Sequence, residues 1–177
     1  MHSFPRHIFL VGFSGSGKST IGPRLAKRMK RPFIDIDDMI TRRMTMTVPE
    51  LFRKYGEQRF RREEEACLKL AAARPPSVVA VGGGAFQSPS NRKLMQEHGT
   101  TVYLSCARRE IYRRLKNKTD RPLLSQPTRA AQVARIRELL DRRVKHYRRA
   151  DLTVATTTRS VAQSVDQIIR KLEALHG

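Results

Sequence analysis

An α/β fold built on a parallel sheet with crossover helices is what this sequence predicts, and three observations carry the prediction. Short apolar runs alternate with longer stretches of helical period, the pattern of strand, crossover helix and strand. A Gly-x-x-x-x-Gly-Lys-Ser run joins the first apolar run to the first helical one, at Gly12–Ser19. The length of 177 residues suits one domain, residues 1–177, with no linker or repeat to divide it.

The elements follow in order along the chain. His7–Val11 is a first strand, and residues 20–29 form a helix with Ile21, Leu25 and Met29 on one face. Arg31-Pro32 stops that helix and frees residues 33–36 as a second strand. Thr47-Val48-Pro49-Glu50 has the form of a capping box with Pro in the first turn, which opens a helix through Lys54. Another helix runs from Glu57 to Ala73 and is closed by Pro75-Pro76. Residues 77–81 make a continuous apolar strand that ends in three glycines, and residues 101–105 repeat the strand signature. A short helix at 107–115 precedes the unpatterned segment 116–127, an exposed loop of the length used for lids. A long helix over 129–149, a strand over 152–155 and a last helix over 161–175 complete the chain.

Charge and composition exclude several classes of function. The 36 Lys and Arg against 16 Asp and Glu leave a net +20, and such a chain attracts polyanions: nucleotides, nucleic acids or acidic lipid surfaces. The cations are spread along the whole chain, and no aromatic-plus-basic recognition module accompanies them, so no specific nucleic-acid partner is expected. No apolar run approaches the roughly 18 residues of a membrane span, and residues 1–6 lack the layout of a secretory signal. Cys67 and Cys106 stand far apart with no metal-ligand spacing around them. They read as reduced thiols of a cytoplasmic protein.

Phosphate chemistry explains Gly12–Ser19. Small residues let successive backbone N–H groups converge on a phosphate at a helix N-terminus, where the helix dipole also favours negative charge. Lys18 then reaches the β and γ phosphates, and the Ser19 hydroxyl is placed for Mg²⁺. Asp35 and Asp37 end the second strand, and in open α/β sheets the carboxyl ends of strands face the ligand crevice. Asp37 or Asp38 could instead cap the following helix. The third strand leads to Gly82-Gly83-Gly84 rather than to a Walker-B acid, which leaves Asp35 to help hold Mg²⁺. Three glycines there let a ligand or another chain segment approach closely. Arg61 has an ordinary explanation in helical pairing with Glu57 and Glu65. Arg143 lies on an apolar stripe with Ile136, Leu140 and Tyr147, where it either snorkels at the edge or grips an anion. Arg121-Pro122-Leu123-Leu124 combines a cation with apolar residues in the lid segment.

These motifs, in this order, resemble the shikimate kinase family: Gly12–Thr20, Asp35-x-Asp37, Gly56-Glu57-x-x-Phe60-Arg61-x-x-Glu64, Gly82–Gly84, Arg121–Leu124, and Arg143 four residues before Tyr147. The resemblance implies a P-loop NTPase of nucleoside-monophosphate-kinase type. Its fold would have three layers, a five-stranded parallel sheet in order 2-3-1-4-5, a lid at about 116–127 and a helical substrate-binding subdomain at about 37–64. It implies transfer of phosphate from ATP to the C3 hydroxyl of shikimate, in the route to chorismate and aromatic amino acids, by a cytoplasmic monomer that uses Mg²⁺.

Carried over residue by residue, Lys18, Asp37 and Arg121 would be catalytic. ATP would contact Gly15, Ser16, Gly17, Lys18, Ser19, Thr20, Arg114, Arg121 and Arg159. Shikimate would lie against Asp37, Arg61, Gly82, Gly83, Gly84 and Arg143, with Val48 and Phe52 on its apolar side. Ser19 and Asp35 would hold Mg²⁺. Thr45 departs from the Gly that many members carry before the third helix, and five site cations leave most of the +20 without a use. Two other functions remain for comparison: a kinase of another polyol acid such as gluconate, and a catalytically silent nucleotide or nucleic-acid binder. The silent binder would require loss of Lys18, Asp37 or Arg121, and all three are present.

Overall fold

The computed structural model describes residues 6–116 and 122–177, and Arg121 and most of the first half of the expected lid lie outside them. In chain order the elements are β1 (His7–Val11), α1 (Lys18–Arg28), β2 (Phe33–Asp35), α2 (Ile36–Met44), α3 (Val48–Ala72), β3 (Val78–Ala80), α4 (Pro89–His98), β4 (Gly99–Ser105), α5 (Arg108–Leu115), α6 (Arg129–Tyr147), β5 (Leu152–Ala155) and α7 (Val161–His176). Single 3₁₀ turns sit at Ala85–Gln87 and Pro122–Leu124.

All five strands are parallel, in the order β2-β3-β1-β4-β5. β1 lies at the centre and is buried on both faces, which is why its sequence is a continuous apolar run rather than an alternating one. Its residues divide by the two-residue period of a strand. Ile8 and Leu10 face a layer with Ile21 and Leu25 of α1 and Val165, Ile168 and Leu172 of α7. Phe9 and Val11 face the opposite layer, with Leu68 of α3, Met95 of α4 and Leu140 and Tyr147 of α6. Because the strands are parallel, their carboxyl ends deliver Gly12, Asp35, Val81 and Ser105 to one edge of the sheet.

Local signals account for most boundaries. The Thr47 side chain accepts from the Glu50 amide, and the Glu50 carboxylate accepts the Thr47 amide at 2.7 Å, so the capping box forms as read. α3 is continuous in hydrogen bonding but breaks at Gly56, whose φ of 76° no helix shares, and this separates the two expected helical pieces. Asp35, rather than Asp37 or Asp38, caps α2: its side chain accepts from the Asp37 amide at 3.0 Å. β2 ends where α2 begins, so the last strand residue is also the cap. α4 was not legible, because only Asn91 and Met95 along it are buried and no apolar stripe marks it.

Thr45 ends α2 in the left-handed region at φ 52°, a conformation that a β-branched residue adopts only under strain. Glycine carries no such penalty there. Thr45→Gly is therefore expected to stabilise the fold by about 1 kcal/mol, a rise in Tm of about 2 to 4 °C. A fall in Tm on thermal unfolding would contradict this account of the departure.

Candidate active site

The loop after β1 is shaped by backbone that favours glycine. Gly12, Gly15 and Gly17 have φ of 146°, 80° and 107°, and a Cβ at Gly12 would stand 2.8 Å from the Leu104 carbonyl of β4. The turn closes where the Ser16 amide donates to the Phe13 carbonyl at 3.1 Å, and α1 begins at Lys18. Lys18 Nζ donates to the carbonyls of Gly12 and Phe13 at 2.7 and 3.0 Å, so the ammonium is held over the mouth of the loop. A pocket of about 410 Å³ opens there, and Gly15–Thr20 line it with Asp35, Asp37, Arg114 and Arg159. Arg114 closes one wall: its Nε donates to Glu110 at 2.7 Å and its Nη1 to the Gly15 carbonyl at 2.9 Å. Arg159 donates to the Ala155 carbonyl at 2.8 Å. The Thr156 hydroxyl donates to the Ser16 carbonyl at 3.0 Å, fastening the end of β5 to the loop. No sequence signal pointed to Thr156, since the bond spans 140 residues.

Ser19 Oγ donates to Asp35 Oδ2 at 3.2 Å at the floor of this pocket. Burial, and then the neighbouring Asp37 and Asp38 carboxylates, push Asp35 above the usual carboxylate range. That crowding of negative charge beside a hydroxyl suits a cation.

A second pocket adjoins the first, and Ser14, Asp37, Gly82 and Gly83 line both. Val48, Phe52 and Phe60 form its apolar side, and Arg61, Glu64, Arg143 and Leu123 line it as well. The glycine triplet is its floor, and a charged group lies on each glycine. An ideal Cβ would stand 2.1 Å from Glu64 Oε1 at Gly82, 3.3 Å from Arg143 Nη1 at Gly83 and 2.4 Å from Arg61 Nη2 at Gly84. Side chains at Gly82 or Gly84 would displace these groups, which gives those two glycines a steric reason, while Gly83 leaves Arg143 a tight but tolerable approach.

Two arginines on that floor have different electrostatic situations. Arg61 is paired, its Nη1 donating to Glu64 at 2.7 Å and its Nη2 to Glu57 at 3.0 Å. The expected partner Glu65 instead pairs with Lys69 at 2.6 Å, because residue 65 faces away from the pocket while residue 64 is 1% exposed and faces it. Burial pushes the Glu64 carboxyl up, and Arg61 opposes this. Arg143 is only 6% exposed, makes no ion pair among the described residues, and lies 5.5 Å over the Phe13 ring. Its Nε has no hydrogen-bond partner among them. Burial pulls its pKa below the ordinary arginine value. A snorkelling residue would expose its head, so Arg143 does not snorkel.

The shikimate kinase family model matches residues 14–173 of the chain. The chain belongs to the shikimate kinase family. It is 42% identical to a shikimate kinase from Chlorobium chlorochromatii (strain CaD3), over 98% of this chain and 94% of that one. With a shikimate kinase from Chlorobaculum tepidum the identity is 40%, over 94% and 90%. Among solved structures, shikimate kinase from Acinetobacter baumannii in complex with shikimate superposes with a TM-score of 0.92 at 32% identity, covering 97% of this chain and 94% of that one. The enzyme from Aquifex aeolicus gives 0.83 at 33%, covering 97% and 99%. A gluconokinase from Sinorhizobium meliloti matches at 0.56 with 22% identity and shares the fold alone. As a shikimate kinase the protein is an ATP-dependent phosphotransferase, and the expected sheet order and P-loop fold are those observed.

Among the described residues the sequence-predicted ones line these two pockets, Lys18, Ser19, Asp35, Arg114 and Arg159 the first and Val48, Phe52, Arg61, Gly84 and Arg143 the second, while Arg121 lies outside the described residues. Asp37 stands at their junction. Glu64 was part of the family motif without a role of its own, and its place beneath Arg61 gives it one. The helical i, i+3 spacing of the two residues was the available signal.

Proposed function

We propose that the protein binds ATP in the larger pocket and shikimate in the smaller one, and transfers the γ-phosphoryl group to the C3 hydroxyl. The observation that carries this assignment is Arg143: a buried guanidinium with no paired carboxylate among the described residues is costly, and an anionic substrate group would relieve that cost. Arg61 supplies a second cation on the same floor, and Val48 and Phe52 an apolar wall for one face of the ring. The substrate carboxylate would lie between the two arginines, which places the ring's hydroxyls toward Asp37 and the phosphates. Asp37 would orient or deprotonate the attacking hydroxyl, and Lys18 with Arg121 would stabilise the charge on the phosphoryl group in flight.

Ser19 and Asp35 fit a role in holding Mg²⁺, which would neutralise phosphate charge. Arg114 would lie against adenine, and Arg159 beside it. Residues 37–64 would act as the substrate-binding subdomain and 116–127 as a lid that excludes water from the transfer. We further propose a cytoplasmic monomer with no specific nucleic-acid partner. Among the described residues no helix is long and apolar enough to cross a membrane.

Product analysis tests the acceptor position. Incubation with Mg-ATP and shikimate should yield one phosphorylated product whose phosphorus couples to the proton on C3 in a ³¹P–¹H correlation spectrum. Coupling to the proton on C4 or C5 would overturn the proposed seating of the carboxylate between Arg61 and Arg143.

A further inference from the structure

We propose that Thr156 is a positioning residue for the nucleotide: its hydroxyl holds the Ser16–Gly17 peptide of the phosphate loop in the orientation that offers the Gly17 N–H to a phosphate oxygen. This rests on the ATP site proposed above. Thr156 is 3% exposed and lines the larger pocket, and its hydroxyl donates to the Ser16 carbonyl at 3.0 Å. The Ser105 carbonyl lies 3.3 Å from the same oxygen. A hydroxyl has one proton to give, and the shorter contact is to Ser16. Among the described residues this is the hydrogen bond that the Ser16 carbonyl accepts.

Peptide geometry gives that bond its consequence. A trans peptide is planar, so its C=O and the following N–H point in opposite directions. With the Ser16 carbonyl turned to Thr156, the Gly17 N–H is turned away from it, and that amide makes no hydrogen bond to another described residue. Gly17 stands at φ 107°, and a glycine has no Cβ to oppose rotation of the peptide before it. The neighbouring Gly15–Ser16 peptide is pinned at both ends. Arg114 Nη1 donates to the Gly15 carbonyl at 2.9 Å, and the Ser16 amide donates to the Phe13 carbonyl at 3.1 Å. The Ser16–Gly17 peptide has, among the described residues, the Thr156 bond alone. Thr156 can hold it because its own backbone is fixed: its amide donates to the Ser105 carbonyl at 2.8 Å and extends the pairing of β5 with β4 by one residue.

The experiment is steady-state kinetics on Thr156→Val, which keeps the branched shape of the side chain and deletes the donor. If the freed peptide then faces the right way about a tenth of the time, the KM for ATP rises about tenfold. The phosphate contact is made before and during transfer, so kcat should stay within about threefold, and the KM for shikimate should not change. Thr156→Ser restores the donor and should bring the ATP KM back to within about twofold of the unmutated protein. Inhibition against ATP separates phosphate from base: in Thr156→Val the ADP constant should weaken about tenfold and the adenosine constant stay within about twofold. An unchanged ATP KM in Thr156→Val, an equal rise for shikimate, an equal loss for adenosine or no recovery in Thr156→Ser would overturn the proposal. The ATP-site assignment itself fails separately, if Lys18→Ala spares the ATP KM. Should Thr156→Val not fold, Thr156→Cys decides with the same two inhibitors, because a thiol donates only weakly. ADP inhibition should then weaken by about threefold or more with adenosine unchanged, and an unchanged ADP constant would overturn the proposal.

Discussion

Asp37→Asn is expected to lower kcat by about 10²-fold or more, the range of a positioned acid–base group, with little change in the KM for shikimate. Asp37 lines both pockets, the place where an acceptor hydroxyl and the γ-phosphate would meet. Phosphoryl transfer through a loose transition state leaves the protein mainly orientation and charge stabilisation to supply. The amide of Asn retains the shape and one acceptor oxygen but cannot take up a proton, so ground-state contact survives and the reacting step suffers. A variant with normal kcat, measured at saturating ATP and shikimate, would remove Asp37 from the proposed chemistry.

The Arg143→Ala variant should show the opposite split. The substrate carboxylate is remote from the reacting oxygen and carries the same charge before and during transfer, so its binding is uniform and appears in KM. Losing a buried charge pair costs about 2 to 5 kcal/mol, a rise in shikimate KM of roughly 30-fold to several thousandfold. The KM for ATP should stay nearly unchanged. Ligand-induced stabilisation gives an independent readout, because shikimate should raise the Tm of the unmutated protein and not that of the variant. If the variant loses ATP affinity more than shikimate affinity, Arg143 serves the other pocket.

How much of this was legible in the sequence depends on whether a requirement is local. The phosphate loop was readable in full, since a turn that needs three positive φ values writes three glycines at fixed offsets. The capping box at Thr47 and the break at Gly56 are likewise decided within a few residues. The centre of the sheet was readable because β1 is buried on both faces. The acceptor floor was not readable from residues alone. Gly82, Gly83 and Gly84 announce a close approach, but only the fold shows that Glu64, Arg143 and Arg61 are what approach them. The i+3 and i+4 neighbours of Arg61 are both glutamates, and burial beside the sheet edge selects Glu64. Asp35 escaped as the cap of α2 because it also ends β2, and a residue that closes one element while opening the next shows the signal of neither cleanly. The resemblance to the family supplied what no local rule reached, above all the sheet order and the proposal that Arg61 and Arg143 share one acceptor.

The surplus of cations is only partly used by this arrangement. Many of the described ion pairs join side chains with at least one exposed partner, such as Arg28 with Asp166 and Arg142 with Glu138. Pairs of that kind contribute little to stability. Sixteen carboxylates cannot neutralise 36 cations, so the surface stays strongly positive whatever its pairing.

Acceptor selectivity distinguishes shikimate from other polyol acids as the substrate. Release of ADP should be followed with purified protein and Mg-ATP in the presence of shikimate, quinate or gluconate. The two-arginine floor and the apolar wall at Val48 and Phe52 predict rapid release with shikimate, kcat/KM lower by about 10²-fold or more with gluconate, and negligible release without an acceptor. Equal rates with gluconate and shikimate would contradict the account.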